Sequence, residues 1–180
     1  YLAREGTDDE SVACLARSVA PSVKPVFLFP DGRGSQGKVR PAKEMSLWLA
    51  AAGVLRKHVS SDVLIVPADR PLVTSRTLKK LLATHRKNGC SLTLMSFGPN
   101  PERYSIAAFR AGDVVPLLPA LARAGAGAGL RTIAALLSAR GRKVGLTGLP
   151  AAAETLKFAG WADMPRAARI LHQRKNEALA

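Results

Sequence analysis

One apolar run, Asp62-Val-Leu-Ile-Val-Pro-Ala-Asp69-Arg-Pro-Leu-Val73, restricts the possible folds of this chain more than any other segment. Its first half is consecutively apolar and rich in β-branched residues, which is typical of a strand covered by helices on both faces. Pro71 lacks a backbone N–H and disfavours helix at Arg70, so the chain is expected to leave the sheet near Asp69. Ligands collect at the carboxyl ends of strands in open α/β sheets. Asp69 is therefore either a metal ligand or a turn residue that caps a local N–H.

The periodicity of apolar residues predicts alternating strands and helices along the chain. The expected strands are 25–29, 63–67, 91–97, 104–109 and 143–149. The expected helices are one capped by Asp8 or Asp9, then 44–57, 74–88, 113–123, 130–140 and 164–179, the last with Met164, Ala167, Ala168 and Leu171 inward. Thr74 or Ser75 is the expected cap of the 74–88 helix, and Gly89 its stop. This alternation favours a three-layer α/β/α sandwich with a mainly parallel, mixed sheet, formed by residues 1–180 as a single domain.

Composition narrows the classes of partner. The chain has 180 residues, is 47% hydrophobic and carries a net charge of +14. No apolar run is long enough to span a membrane and no leader-like segment opens the chain, so a cytoplasmic protein is expected. Two cysteines, Cys14 and Cys90, without metal-ligand spacing indicate structural thiols. The positive charge favours phosphate-rich partners, either nucleotides or nucleic acid.

A basic glycine-rich loop follows the strand predicted at 25–29. Three glycines allow backbone N–H groups to approach a phosphate, and nearby basic side chains supply positive charge. The candidate phosphate-binding residues are Gly32, Arg33, Gly34, Gly37 and Lys38, with Lys43 shortly beyond. A Walker A loop is not expected, because Val39 stands where Mg²⁺ would need Ser or Thr. The alternative is a basic surface loop without a ligand.

The run 62–73, followed by a helix and Cys90-Ser-Leu-Thr-Leu-Met95, resembles the middle of nucleotidyltransferases with a glycosyltransferase-A-like fold. Molybdenum-cofactor guanylyl- and cytidylyltransferases and sugar-1-phosphate or N-acetylglucosamine-1-phosphate pyrophosphorylases are of this kind. The resemblance covers roughly residues 60–175. It implies that Asp69 binds Mg²⁺ at the nucleotide phosphates. It also implies transfer of NMP from an NTP to a phosphorylated small molecule, such as a molybdopterin or sugar phosphate, with release of pyrophosphate.

The resemblance suggests a second metal ligand. It also allows two alignments of the glycine-rich loop with the family's sequence. Asp163, two residues before Pro165, matches the family's N-x-N-T-P position, although it is equally well placed to cap the last helix. In one alignment, the glycine loop and Lys43 correspond to the family's opening L-A-A-G-x-G-x-R-M-G-x-x-K loop with altered positions. In the other, which the spacing to Asp69 favours, that opening loop lies before Tyr1 and is missing from this chain.

An alternative interpretation is that this protein has the same fold but no catalytic activity. A catalytically inactive relative could use its basic surface to bind RNA or a larger complex. The histidines offer no catalytic arrangement, and His85 is expected at the edge of the core. Glu102, Asp113 and Glu154 are expected to be ordinary surface or turn carboxylates.

Overall fold

The computed structural model describes residues 47–66, 72–96, 104–124, 129–148, 152–156 and 161–179. Its helices are α1 Leu47–Lys57, α2 Ser75–Lys87, α3 Ala111–Val114, α4 Leu118–Arg123, α5 Leu130–Ala139 and α6 Met164–Leu179. Its strands are β1 Asp62–Ile65, β2 Leu92–Ser96, β3 Tyr104–Arg110 and β4 Val144–Thr147. Short 3₁₀ turns occupy Val115–Leu117, Ala152–Thr155 and Trp161–Asp163. The strands expected at 63–67, 91–97, 104–109 and 143–149 are thus all present, and the strand expected at 25–29 lies outside the described residues.

The four described strands form one mixed sheet in the order β1-β3-β2-β4. β3 is antiparallel to both of its neighbours, with Leu64 opposite Ala108 and Leu94 opposite Ala107. β2 and β4 are parallel, with Thr93 beside Gly145. β1, β2 and β4 therefore point the same way, and their carboxyl ends meet at one edge of the sheet.

Helices cover both faces of this sheet, as the sandwich prediction requires. On one face, Leu92, Leu94 and Phe109 pack with residues of α1, α3, α4 and α5. The ring of Phe109 meets Trp48 of α1 in an edge-to-face arrangement, with centroids 6.2 Å apart. On the other face, Met95 packs against residues of α2. The predicted three-layer α/β/α architecture with a mixed sheet is confirmed.

Helix α2 begins and ends where its sequence predicts. Thr74 is extended and its hydroxyl accepts a hydrogen bond from the Thr77 N–H at 3.3 Å. After the helix, Gly89 adopts a φ of +60°, a left-handed conformation that glycine adopts without strain. Leu78, Leu81 and His85 are buried on one stripe of the helix.

The segment predicted as one helix at 113–123 is instead divided into α3, a 3₁₀ turn and α4. Pro116 and Pro119 lie in the first turns of the second and third pieces. Each proline removes a backbone donor, so the chain restarts its hydrogen-bond pattern at these points. No helix in the described ranges is both long and apolar enough to cross a membrane.

The inward face predicted for α6 is partly wrong. Ala167 is buried, but Ala168 is exposed and Leu171 is 48% exposed. The side chain of Met164 lies outside the described part of the chain. The protected stripe consists of Ala167, Ile170 and Arg174, which share one helical face. Arg174 belongs to this stripe because its guanidinium is hydrogen-bonded to the main chain elsewhere.

Candidate functional site

The carboxyl edge of the sheet is the place where the fold can hold a ligand. β1 ends at Ile65 and is followed by buried Val66. Val73, which precedes α2, packs in the same apolar cluster as Val66. The amino terminus of α2 therefore lies at this edge, close to the end of β1. Its backbone N–H groups and dipole favour negative charge there.

Most of the predicted site residues lie outside the described residues. These are Asp69, the loop residues Gly32, Arg33, Gly34, Gly37 and Lys38, and Lys43. Asp163 is described: it is half-buried in the 3₁₀ turn that leads directly into α6. Its predicted roles in helix capping or metal ligation stay predictions. The described residues contain no cluster of three or more His, Cys, Asp or Glu side chains suited to a metal.

A buried acidic side chain, whose burial the sequence did not predict, also lies at this edge. Glu154, expected at the surface or in a turn, is only 5% exposed. Its Oε2 accepts a hydrogen bond from the Thr74 N–H at 3.1 Å, and its Oε1 accepts from the Thr74 and Thr77 hydroxyls at 3.1 and 2.9 Å. Three donors thus stabilise one buried carboxylate at the amino terminus of α2.

This arrangement completes a capping box with a residue from a distant part of the chain. In a local capping box, a Glu at the third helical position accepts from the N-cap N–H. In α2 that position is Thr77, and the first turn has no acidic residue. Glu154 performs the missing role from 80 residues away in sequence. The sequence at the start of α2 does not predict this contact, because it lacks the S/T-x-x-E pattern of a local capping box.

A second contact ties the same segment to α6. The Arg174 guanidinium donates a hydrogen bond to the Leu72 carbonyl oxygen at 2.8 Å. Leu72 is 1% exposed and precedes the N-cap Thr74 by two residues. Two side chains from the carboxyl-terminal part of the chain therefore hold the segment that leads into α2.

A different polar cluster occupies the opposite, amino edge of the sheet. His85 is fully buried, deeper than the core-edge position expected. Its Nδ1 lies 2.9 Å from the Thr93 hydroxyl, and its Nε2 lies 3.6 Å from Oδ1 of Asp62 and has no hydrogen-bond partner among the described residues. Asp62 Oδ2 accepts from Arg86 Nε at 2.7 Å. Asp113, expected at the surface, is largely shielded and pairs with Arg142 at 3.4 Å.

Burial lowers the pKa of His85 below its ordinary value of 6.5, since the protonated ring would lose its hydration. Asp62 and Asp113 act in the opposite direction, whereas Arg110 and Arg86 lower the pKa further. The neutral ring fits the geometry when Nε2 carries the proton towards Asp62 and Nδ1 accepts from Thr93. This cluster lies away from the carboxyl edge, so we assign it to stability.

The lowered pKa predicts a stability that falls in acid. Below about pH 6.5 the unfolded chain takes up a proton that folded His85 does not, so the free energy of unfolding falls until the pH reaches the folded-state pKa. Urea unfolding at pH 7.5, 6.5 and 5.5 should show this slope, which is at most about 1.4 kcal/mol per pH unit for one proton. His85→Asn keeps a hydrogen-bond acceptor near Thr93 and should reduce this slope of the free energy of unfolding against pH. The same substitution at the exposed His58 provides the matched control variant.

Comparison with known proteins identifies the fold. No protein-family model matches the sequence, and no curated protein matches it. Among solved structures, 2-C-methyl-D-erythritol 4-phosphate cytidylyltransferase from Thermus thermophilus superposes with a TM-score of 0.59 at 15% identity, covering 89% of both chains. Molybdopterin-guanine dinucleotide biosynthesis protein A from Archaeoglobus fulgidus gives 0.52 at 15% identity, covering 89% of this chain and 75% of the other.

A third neighbour is of the same kind as the first. The 4-diphosphocytidyl-2C-methyl-D-erythritol synthase of Anaerococcus prevotii gives a TM-score of 0.54 at 14% identity, with 95% of this chain and 77% of the other covered. This chain therefore has the nucleotide-diphospho-sugar transferase fold, which it shares with these three proteins. The predicted structural resemblance is confirmed.

Proposed function

We propose that this protein is a nucleotidyltransferase that joins the NMP unit of an NTP to a phosphorylated small molecule. An ionised phosphate oxygen of the acceptor attacks the α-phosphorus of the NTP and forms a new P–O bond. The bond from the α-phosphorus to the bridging oxygen breaks, and its electron pair leaves on pyrophosphate. The attacking phosphate is already ionised, so the reaction needs positioning and charge neutralisation rather than a general base.

The observation that carries this proposal is the place of Asp69 along a chain with this fold. Asp69 comes three residues after Val66, which follows β1, and three residues before Leu72, which leads into α2. Both flanking residues are buried at the carboxyl edge, where α/β folds bind ligands. The fold itself is shared with enzymes whose names describe cytidylyl transfer to a sugar-alcohol phosphate and synthesis of a molybdopterin dinucleotide.

The proposed metal is Mg²⁺, held by Asp69 and Asp163. Carboxylate oxygens are its preferred protein ligands, and one or two of them together with substrate phosphates and waters commonly complete the site. When bound, Mg²⁺ supplies charge neutralisation at the reacting phosphates.

The glycine-rich loop is the proposed phosphate-binding element. Backbone N–H groups of Gly32, Gly34 and Gly37 would contact phosphate oxygens, and Arg33 and Lys38 would balance their charge. Lys43 would stabilise the charge that develops on the leaving pyrophosphate.

Calorimetry with NTP and Mg²⁺ tests this proposal through Gly34→Val. A β-branched side chain at this position should keep a triphosphate away from the loop's N–H groups without changing the charge. We expect a loss of nucleotide affinity of at least about tenfold, or about 1.4 kcal/mol. Gly53→Val is the matched control, because a Cβ at this exposed helix position meets no atom within 4 Å apart from its chain neighbours and its own helix backbone. Equal NTP binding by wild type and Gly34→Val would place the phosphate site elsewhere, and no binding by wild type would contradict the enzyme proposal.

A second candidate function is polyanion binding by an inactive relative. Helix α2 contains no acidic residue, and its basic side chains are exposed opposite the buried stripe: Arg76, Lys79, Lys80, Arg86 and Lys87. RNA held by long basic side chains should bind Gly34→Val as well as wild type. Its affinity should also fall by about 10³ or more between 50 and 200 mM salt. That pattern, combined with no NTP binding, would favour the second candidate.

A further inference from the structure

We propose that the exposed face of helix α2 binds the phosphate backbone of nucleic acid, at a surface that uses neither Asp69 nor the glycine-rich loop. Arg76, Lys80, Ala83 and Lys87 follow one another along this face at helical spacing, and Lys79 lies beside them. All five residues are exposed. Such a surface narrows the second candidate function to one helix and one chemistry, and an active transferase can carry it as well.

No ion pair within the described parts of the chain involves the four basic side chains of this face. Arg86, the other exposed basic residue of α2, donates from Nε to Asp62 at 2.7 Å and is therefore not counted with them. Helix α2 itself contains no acidic residue. The carboxylate at its amino terminus, Glu154, is buried and accepts from Thr74 and Thr77. The four positive charges are thus available to an external anion.

The stability of α2 does not explain these charges, because their arrangement opposes it. Arg76 lies three residues before Lys79 and four before Lys80, and like charges at these spacings repel on a helix surface. Arg76 also lies in the first turn, where the helix dipole favours the opposite charge. Helix α1 shows the stabilising arrangement, with Arg56 and Lys57 in its last turn. Violations of local preference of this kind are expected at functional sites, and a bound phosphate would relieve the repulsion.

The chemistry of the face favours nucleic acid over a protein partner. A protein interface depends on an apolar or aromatic centre, and charges at its rim contribute little. Here the side chain between the charges is Ala83, and the large apolar residues Leu78 and Leu81 are buried. Binding to a phosphate backbone needs charge alone. Arg76 and Lys87 are about 16 Å apart along the helix axis, which is long enough to contact several successive phosphates.

The experiment measures binding of a labelled single-stranded oligouridylate by fluorescence anisotropy over a range of salt concentrations. For single strands, the slope of log affinity against log salt changes by about 0.7 for each phosphate contact. Arg76→Gln/Lys80→Gln should therefore weaken binding and reduce the slope by about 1.4. Its thermal unfolding midpoint should be no lower than that of wild type, because the substitutions remove a repulsion. Oligothymidylate should bind with similar affinity, because phosphate contacts carry no information about the base.

Arg56→Gln/Lys57→Gln is the matched control, because it removes the same two kinds of exposed charge from α1. The control should keep the slope of wild type. An equal reduction in both variants would overturn the proposal, since the net charge of +14 rather than this face would then bind the oligonucleotide. Undetectable binding of both oligonucleotides by wild type would also overturn it.

Two further measurements separate this surface from the other possible occupants. Poly-L-glutamate should bind more weakly than oligouridylate; equally tight binding that is lost in Arg76→Gln/Lys80→Gln would assign the face to an acidic protein. Calorimetry with NTP and Mg²⁺ should give the same result for this variant as for wild type, and a loss of NTP binding would assign the face to the nucleotide site. If wild type binds no NTP, the proposed transferase activity fails, while the anisotropy measurements still decide the role of α2.

Discussion

Asp69→Asn should lower kcat/KM for Mg²⁺-dependent NMP transfer by at least about 100-fold, or about 2.7 kcal/mol. The substitution would replace the proposed anionic metal ligand with a neutral amide of nearly the same size, so metal affinity should be lost. Pyrophosphate release measured against Mg²⁺ concentration is the direct assay. The unfolding midpoint should be close to that of wild type.

Asp62→Asn is the control for this experiment because it makes the same chemical change at the start of β1, away from the carboxyl edge of the sheet. Asp62 begins β1 and pairs with Arg86 and His85 at the amino edge of the sheet. Its substitution is expected to cost stability and to leave the turnover of the folded protein unchanged. Normal turnover of Asp69→Asn with ordinary Mg²⁺ dependence would eliminate Asp69 as a metal ligand.

Phe109→Ala should reduce the free energy of unfolding by about 3 to 5 kcal/mol, the usual cost of deleting a buried aromatic ring. Phe109 is 1% exposed, lies opposite Val63 and Leu92 on the neighbouring strands, and packs against Trp48. The vacated space lies between β3 and α1, where rigid elements on both sides restrict collapse. Urea unfolding followed by circular dichroism measures the change.

An exposed apolar residue provides the comparison for this prediction. Leu146 on β4 is 61% exposed, so Leu146→Ala should change the free energy of unfolding by less than about 0.5 kcal/mol. Equal effects of the two substitutions would mean that the ring of Phe109 does not occupy the core position described for it.

Much of the fold could be predicted because its signals are local. The four described strands are short apolar segments, and the stripe of Leu78, Leu81 and His85 follows the helical period. Thr74 and Gly89 bound α2 through conformational preferences that depend on only a few neighbouring residues. Asp69 was selected by the same kind of signal, an apolar run ended by a proline, and its metal role stays a prediction.

The candidate site was less predictable because its described contacts join distant parts of the chain. Glu154 gives no local sign of its role, since its partners Thr74 and Thr77 are 80 and 77 residues away. Arg174 likewise gives no local sign of its partner, which is a main-chain carbonyl 102 residues away. Asp163 could be placed before α6 from sequence, because a proline in a first helical turn is a local signal.

The sequence by itself determined where strands and helices form and which of their faces carry apolar side chains, because these depend on backbone preferences and periodicity within a few residues. Only the tertiary structure decided that β3 runs antiparallel between β1 and β2, which face of α6 is protected, and that a glutamate from a distant turn caps α2. These outcomes depend on which surfaces pack against each other when the chain folds. A buried carboxylate is tolerated only where donors surround it, and for Glu154 those donors come from a helix that its own local sequence does not specify.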